Sequence, residues 1–254
     1  MPEALTELRE GLWQLSLAGG YVNCYLVLED DGITLVDTGL PTSASAVIDT
    51  SRHLGAPLAR VVLTHTHRDH ASGLDALLRR APAAELWLSA RAAEELRGLF
   101  PRRPGDPRAR VRRALFTRAR ARPTGTLHDG DSVGRLTVLF APGHSPEHVA
   151  YFLAAERALI AGDAFTTKGG SVALVGQPRA AANPLAGAIT NLGSRLVTWH
   201  LPTARTSAVR LRGLNPELLL VGHGPALERP LGQLDEAISA VVEGTATLGS
   251  DEEE

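Results

Sequence analysis

The chain passes from a short apolar run, Arg60 to Leu63, directly into Thr64-His65-Thr66-His67-Arg68-Asp69-His70. An extended segment turns two histidines spaced by one residue to the same side. Asp69 and His70 follow where a helix is expected to start, and a carboxylate there faces backbone N–H groups that lack intrahelical partners. Imidazole and carboxylate at this density are the ligand chemistry of zinc or iron. Scattered surface histidines would not produce this spacing, so a metal site is the economical reading.

Three further strand ends repeat the pattern more sparsely. Leu136 to Phe140 leads into Ala-Pro-Gly-His144-Ser-Pro-Glu-His148, Ala158 to Ile160 into Ala-Gly-Asp163, and Leu218 to Val221 into Gly-His223-Gly-Pro. In each case an apolar strand delivers a ligand-type residue beside glycine, whose missing side chain lets backbone approach a crowded site. Other strands are expected at Gly11 to Leu17, Tyr21 to Leu28, Ile33 to Val36 and Glu85 to Leu88. Helices are expected at Thr42 to Leu54, Ala71 to Arg80, Ala90 to Leu99, Leu185 to Leu196, Thr203 to Leu211 and Leu231 to Val242. Strands and helices in both halves suit an α/β fold, with helices packed on two facing mixed sheets. Residues 1–254 read as one domain. Phe100 to Pro123, rich in Arg and Pro, reads as a partly mobile insertion, and Lys168 to Pro184 as a loop.

In that order, with the early Val36-Asp37-Thr38-Gly39 segment, these motifs resemble the metallo-β-lactamase fold superfamily over nearly the whole chain. The resemblance implies a four-layer αββα sandwich. It implies that His65, His67 and His144 bind one metal, that Asp69, His70 and His223 bind a second, and that Asp163 bridges the two. The expected cofactors are two divalent ions, zinc first and iron or manganese as alternatives. Asp37 would orient ligands by hydrogen bonds rather than bind metal, and His148, in the loop of His144, would do the same. His53, His128 and His200 lack motif context and read as surface or core residues. Cys24 reads as a small buried hydrophobe.

A metal pair acidifies a shared water and polarises a substrate oxygen. The expected activity is therefore hydrolysis of a carboxylic ester, thioester or lactone by a metal-bridging hydroxide, with Asp69 and Asp163 as catalytic carboxylates. No Gly-x-Ser-x-Gly elbow offers a serine nucleophile. Three departures narrow the substrate. Cys24 is not placed as a β-lactamase ligand. Only one clear helix follows His223, where glyoxalase II carries a larger helical region. Phe165, Thr166 and Thr167 follow Asp163, where acyl-homoserine lactonases place a tyrosine. Phe165, Thr166 and Trp199 are candidate pocket residues.

Two rival activities share the scaffold. The arginines from Arg102 to Arg122 motivate a phosphodiesterase or nuclease. Against it stands the net charge of −2, which argues that nucleic acid is not the partner. A mononuclear iron oxygenase of the persulfide dioxygenase kind would need fewer ligands than this chain retains. A non-catalytic binding module would be expected to have lost some of them. The one cysteine excludes an intramolecular disulfide and a thiolate cluster. No basic-then-apolar leader and no membrane-length apolar run is present, so a cytoplasmic protein acting on a small molecule, with no membrane partner, is expected. A homodimer is compatible with the sequence.

Overall fold

Apolar residues on both faces of the strands dictate that each sheet is covered on both sides. In the computed structural model, which describes residues 4–177 and 196–246, this is how the chain is arranged. Seven strands run in spatial order through the first sheet: β1 (Ala4–Arg9), β2 (Leu12–Leu17), β3 (Val22–Glu29), β4 (Gly32–Val36), β5 (Leu58–Val62), β6 (Glu85–Ser89) and β7 (Gly125–Leu127). The pairs from β1 to β4 are antiparallel, and those from β4 to β7 are parallel. The second sheet contains β8 (Ser132–Val133), β9 (Leu136–Phe140), β10 (Val149–Leu153), β11 (Ala158–Gly162), β14 (Leu218–Val221) and β15 (Leu227–Glu228), in the order β15-β14-β11-β10-β9-β8. Its β11–β14 pair is parallel and the others are antiparallel. A two-stranded ribbon, β12 (Phe165–Thr166) and β13 (Ala173–Leu174), stands apart.

Alternation along single strands builds the layers. Ala158 and Ile160 of β11 and Leu218 and Leu220 of β14 point between the sheets, against Tyr25, Val27, Val36 and Val62 of the first sheet. Leu159, Ala161, Leu219 and Val221 point outward and pack under α5 (Leu201–Arg212) and α6 (Leu231–Ala246). On the opposite side, α1 (Ala44–His53), α3 (Leu74–Arg80) and α4 (Ala90–Leu96) cover Cys24, Leu26, Ile33 and Leu35. The result is the four-layer αββα sandwich. Among the described residues, no helix is long and apolar enough to cross a membrane.

β9 and β14 match their expected spans residue for residue. The helix expected over Ala71 to Arg80 is split into a single turn, α2 (Arg68–Ala71), followed by α3. Gly73 lies at the break. A Cβ there would sit 2.3 Å from the Thr38 carbonyl oxygen, so only glycine allows this approach. Crossing bonds hold it: Gly73 N–H donates to Gly39 O, and the Thr38 and Gly39 N–H groups donate to His70 O. The expected helix from Leu185, except its last residue Leu196, and residues 178–184 of the expected loop lie outside the described residues.

The Arg/Pro-rich stretch carries one 3-10 turn, Arg113–Leu115, but it is tied down. Asp106 pairs bidentately with Arg91, Thr117 N–H donates to Thr66 O, and the Arg120 and Ala121 N–H groups donate to Asp75.

Candidate metal centre

Asp37, the His65–His70 loop, His144, Asp163 and His223 each follow the C-terminal end of a strand, at one edge of the two sheets. There the seven sequence-derived ligand residues meet. Donor atoms of His65, His67 and His144 lie within 4.8 Å of one another, and the same holds for His65, His70 and Asp163 and for Asp69, His70 and His223. Asp163 lies between the groups. Its Oδ2 is 3.5 Å from His144 Nε2 and 3.4 Å from His223 Nε2, and its Oδ1 is 3.4 Å from His70 Nε2. Asp69 Oδ2 is 3.3 Å from His223 Nε2.

Hydrogen bonds behind the rings fix which nitrogen faces the cluster. His70 Nδ1 is 2.9 Å from Asp37 Oδ2, so this nitrogen carries the proton and Nε2 faces inward. His223 Nδ1 donates to Tyr21 O at 2.6 Å. The Thr64 hydroxyl donates to Asp37 Oδ2, which leaves its oxygen to accept from His65 Nδ1 at 3.0 Å. The Thr198 hydroxyl likewise donates to Val175 O and faces His144 Nδ1 at 3.3 Å. His144 Nε2 and His67 Nδ1 are left 3.0 Å apart, close enough to share one cation.

Two observations test whether a metal suits this site. Among the described residues, His65 Nε2 and Asp163 Oδ1 are buried without a hydrogen-bond partner, a costly state unless a cation completes their coordination. The electrostatics agree. Burial holds His65 and His144 well below the usual imidazole range, which keeps them in the neutral form that ligates. Burial also opposes the charged forms of His70 and His223, but Asp163 and its neighbouring aspartates outweigh it, and His223 is pushed up to about 11. Burial disfavours the Asp163 carboxylate, yet His223, His70 and His144 hold it well below the usual carboxylate range. The carboxylates thus attract positive charge to the His70 and His223 side of the centre, while His65, His67 and His144 stay neutral.

Asp37 orients rather than joins the cluster. Its backbone adopts φ 65°, a left-handed conformation that Asp tolerates better than most residues. In it, Oδ1 accepts from Thr64 N–H and Oδ2 accepts from the Thr64 hydroxyl and His70, and these bonds offset the strain. His148 lies behind Asp163, and its Nε2 accepts from the Asp163 N–H at 3.1 Å. Burial lowers the His148 pKa to about 4, so it stays a neutral acceptor.

The pocket expectations divide. Trp199 lines the cleft beside His67 and His144. Thr166 faces the site's support, its hydroxyl donating to His223 O. Phe165 is corrected: it is 0% exposed and packs in the core beneath α5 and α6. It belongs to β12, where it pairs with Leu174 of β13, and both side chains join the same core cluster.

Four positions had no motif to announce them. The Phe116 ring packs edge-on to His67, with centroids 4.7 Å apart. The Tyr21 ring packs on His223, and burial and then Asp69 raise its pKa. Glu147 Oε1 accepts from both the N–H and the hydroxyl of Thr66, between the two histidine ligands. Glu95, also buried, faces Glu147. Burial and that neighbour push Glu95 up to about 11, whereas its hydrogen bond and His67 hold Glu147 below the usual range against burial. Arg91 Nε, 3.3 Å from Glu95 Oε1, opposes that rise without cancelling it, so the protonated form is favoured at Glu95 rather than at Glu147. His53 and His128 are exposed, and His200 caps α5.

An αββα sandwich with buried His and Asp donors gathered at its strand ends defines a metal-dependent hydrolase. The chain belongs to the metallo-beta-lactamase superfamily, whose sequence model matches residues 17–223. It is 34% identical over 235 residues to the uncharacterized protein YobT of Bacillus subtilis, covering 92% of this chain and 97% of that one. It is 30% identical over 145 residues to a hydroxyacylglutathione hydrolase of Gloeobacter violaceus, covering 56% of this chain and 48% of that protein. A metallo-beta-lactamase family protein of Thermus thermophilus shares the fold at TM-score 0.66 and 24% identity, covering 95% of this chain and 83% of that chain.

Proposed function

We propose that this protein hydrolyses a carboxylic ester, thioester or lactone at a centre of two divalent metal ions. The observation that carries the reading is the meeting of seven buried or half-buried donors, with His65 Nε2 and Asp163 Oδ1 making no hydrogen bond among the described residues. His65, His67 and His144 would hold one ion, Asp69, His70 and His223 the other, and Asp163 both. Two donor groups rather than one favour this reading over a mononuclear iron oxygenase. Zinc fits the imidazole and carboxylate set, as do iron and manganese. When bound, such ions acidify water and polarise an acyl oxygen.

The chain's own residues supply position and charge. Asp69, half-buried and held ionised by its histidine neighbours, accepts a hydrogen bond from the attacking water and so orients it. Asp37, through His70 and Thr64, and Glu147, through Thr66, keep the ligand loop in one conformation. Phe116 and Trp199 cover the His67 side of the cleft. The hydroxyacylglutathione hydrolase relative, named for a thioester substrate, supports the acyl class.

The second reading, phosphodiester hydrolysis, draws on the arginines beside the site. Metal content measured alongside initial rates on lactones, thioesters, aryl esters and bis-nitrophenyl phosphate separates the two. Acyl substrates are expected to lead, and chelation, His67→Ala and Asp163→Ala are each expected to abolish the activity. A phosphodiester turned over faster than every acyl substrate would reverse the assignment.

A further inference from the structure

A cavity of about 1010 Å³ adjoins the metal cluster. Its lining carries Arg91, Arg102, Arg110, Arg112 and Arg113 against one carboxylate, Asp106. Both Asp106 oxygens are engaged by Arg91, at 2.8 and 2.9 Å. Arg102 reaches only the backbone carbonyl of Asp106, and Arg113 lies over the Phe100 ring. Among the described residues, no carboxylate pairs with Arg102, Arg110, Arg112 or Arg113. Some arginines elsewhere do pair, such as Arg9 with Glu228 and Arg212 with Asp235, and others, such as Arg79 and Arg97, do not. What marks this cavity is that four guanidinium groups without a carboxylate line one concave surface.

The cavity and the site are continuous. Arg110, Val111, Arg112, Thr198 and Trp199 line both the cavity and the narrow cleft walled by His67 and His144. Guanidinium groups match the geometry of phosphate oxygens. A concave pocket of this size fits a small molecule, whereas a nucleic-acid strand would need an extended basic track. An unsubstituted lactone would leave most of this space empty, and the acyl arm of a substituted one would bring no charge to meet the arginines. Phe100, Val111 and Trp199 give the cavity apolar wall suited to an aliphatic arm.

We propose that the substrate is an acyl thioester whose thiol half ends in phosphate, of the acyl-coenzyme A kind. The phosphate is seated among Arg110, Arg112 and Arg113, and the acyl carbonyl lies at the His/Asp cluster. The inference rests on the hydrolase reading above and names its substrate class. Water adds to the acyl carbon and the C–S bond breaks. The sulfur leaves as a thiol with one proton, and the acid is released as carboxylate and a second proton. No further reactant is needed.

The test compares initial rates of the metal-loaded protein on butyryl-coenzyme A, butyryl-phosphopantetheine, butyryl-pantetheine and S-butyrylglutathione. Both phosphorylated substrates are expected to exceed butyryl-pantetheine in kcat/KM by about tenfold or more, the scale of one charge-assisted contact. That ratio is expected to shrink at about 0.5 M salt, where exposed charges are screened. It is also expected to shrink in Arg110→Ala/Arg112→Ala, with metal content retained. Equal rates on butyryl-pantetheine, or faster turnover of S-butyrylglutathione, would overturn the inference while leaving the hydrolase reading intact. So would a phosphate preference that survives the double substitution. Failure on every thioester, ester and lactone would instead remove the hydrolase reading itself. The substrate ratio and its salt dependence are read in the unaltered protein, so they decide the matter even if the double variant does not fold.

Discussion

Glu95 and Glu147 make an unusual demand on pH. Glu95 is 1% exposed and Glu147 is 4% exposed. Two buried carboxylates in contact cannot both ionise, and the bonds from Thr66 select Glu147 as the charged member. Glu95 then keeps its proton in the folded protein up to about pH 11, whereas the unfolded chain releases it near 4.5. The folded pKa lies above the unfolded one, so across that window the folded state binds one more proton than the unfolded state. Stability must fall as pH rises, by about 1.4 kcal/mol per pH unit for one proton. Below pH 4.5 both states are protonated and this dependence ends.

Glu95→Gln removes the titration and keeps a donor toward Glu147. Between about pH 6 and 8 the unaltered protein should therefore lose about 2.7 kcal/mol more stability than the variant. Urea unfolding of both metal-saturated proteins, followed by tryptophan fluorescence at three pH values, gives the two slopes. Other titrating groups are common to both proteins, so the difference in slope isolates Glu95. Parallel slopes would mean that Glu95 is ionised in the folded state, and the shared-proton argument would be wrong.

Three further substitutions probe the site and its support. Asp37→Asn leaves one oxygen for three donors, and metal affinity measured by chelator competition should weaken by about 10- to 100-fold; unchanged affinity would deny Asp37 its orienting role. In Gly222→Ala the new Cβ would meet Asp163 Oδ1 at 2.2 Å and His70 Cε1 at 2.5 Å, so metal content should fall while the far-ultraviolet circular dichroism is kept. A fully loaded variant would show that Asp163 has room to move. Phe165→Ala should destabilise the protein by about 3–5 kcal/mol, as core truncations do, without a selective rise in KM; a KM effect with unchanged stability would return Phe165 to the pocket wall.

The donor cluster was legible because the chemistry of a metal site restricts residue type, spacing and position at once. His65, His67, Asp69 and His70 stand together in the sequence, and His144, Asp163 and His223 each end a strand whose apolar run is plain. The sandwich was legible for the same reason, since runs such as Leu218 to Val221 admit burial on both faces. What escaped reading depends on contacts distant in sequence. Glu95 and Glu147 look like surface residues on α4 and in a loop, and only the packing of α4 against the ligand loop makes them a buried pair. β1 carries too little apolar alternation to announce itself, and β8, β12 and β15 are two residues long, too short for any period to register. Phe165 failed for the opposite reason. Its place two residues after Asp163 suggested the pocket, but chain proximity does not set side-chain direction, and the ring joins the same core cluster as its pairing partner Leu174. The Arg-rich stretch combines both lessons. Its composition alone could not separate a solvated face from a binding surface, because the distinction lies in which arginines find carboxylates. Arg103 does, with Glu94, whereas Arg110 and Arg112 stand beside the cleft without one, and that difference arises only when the fold brings the stretch against His67.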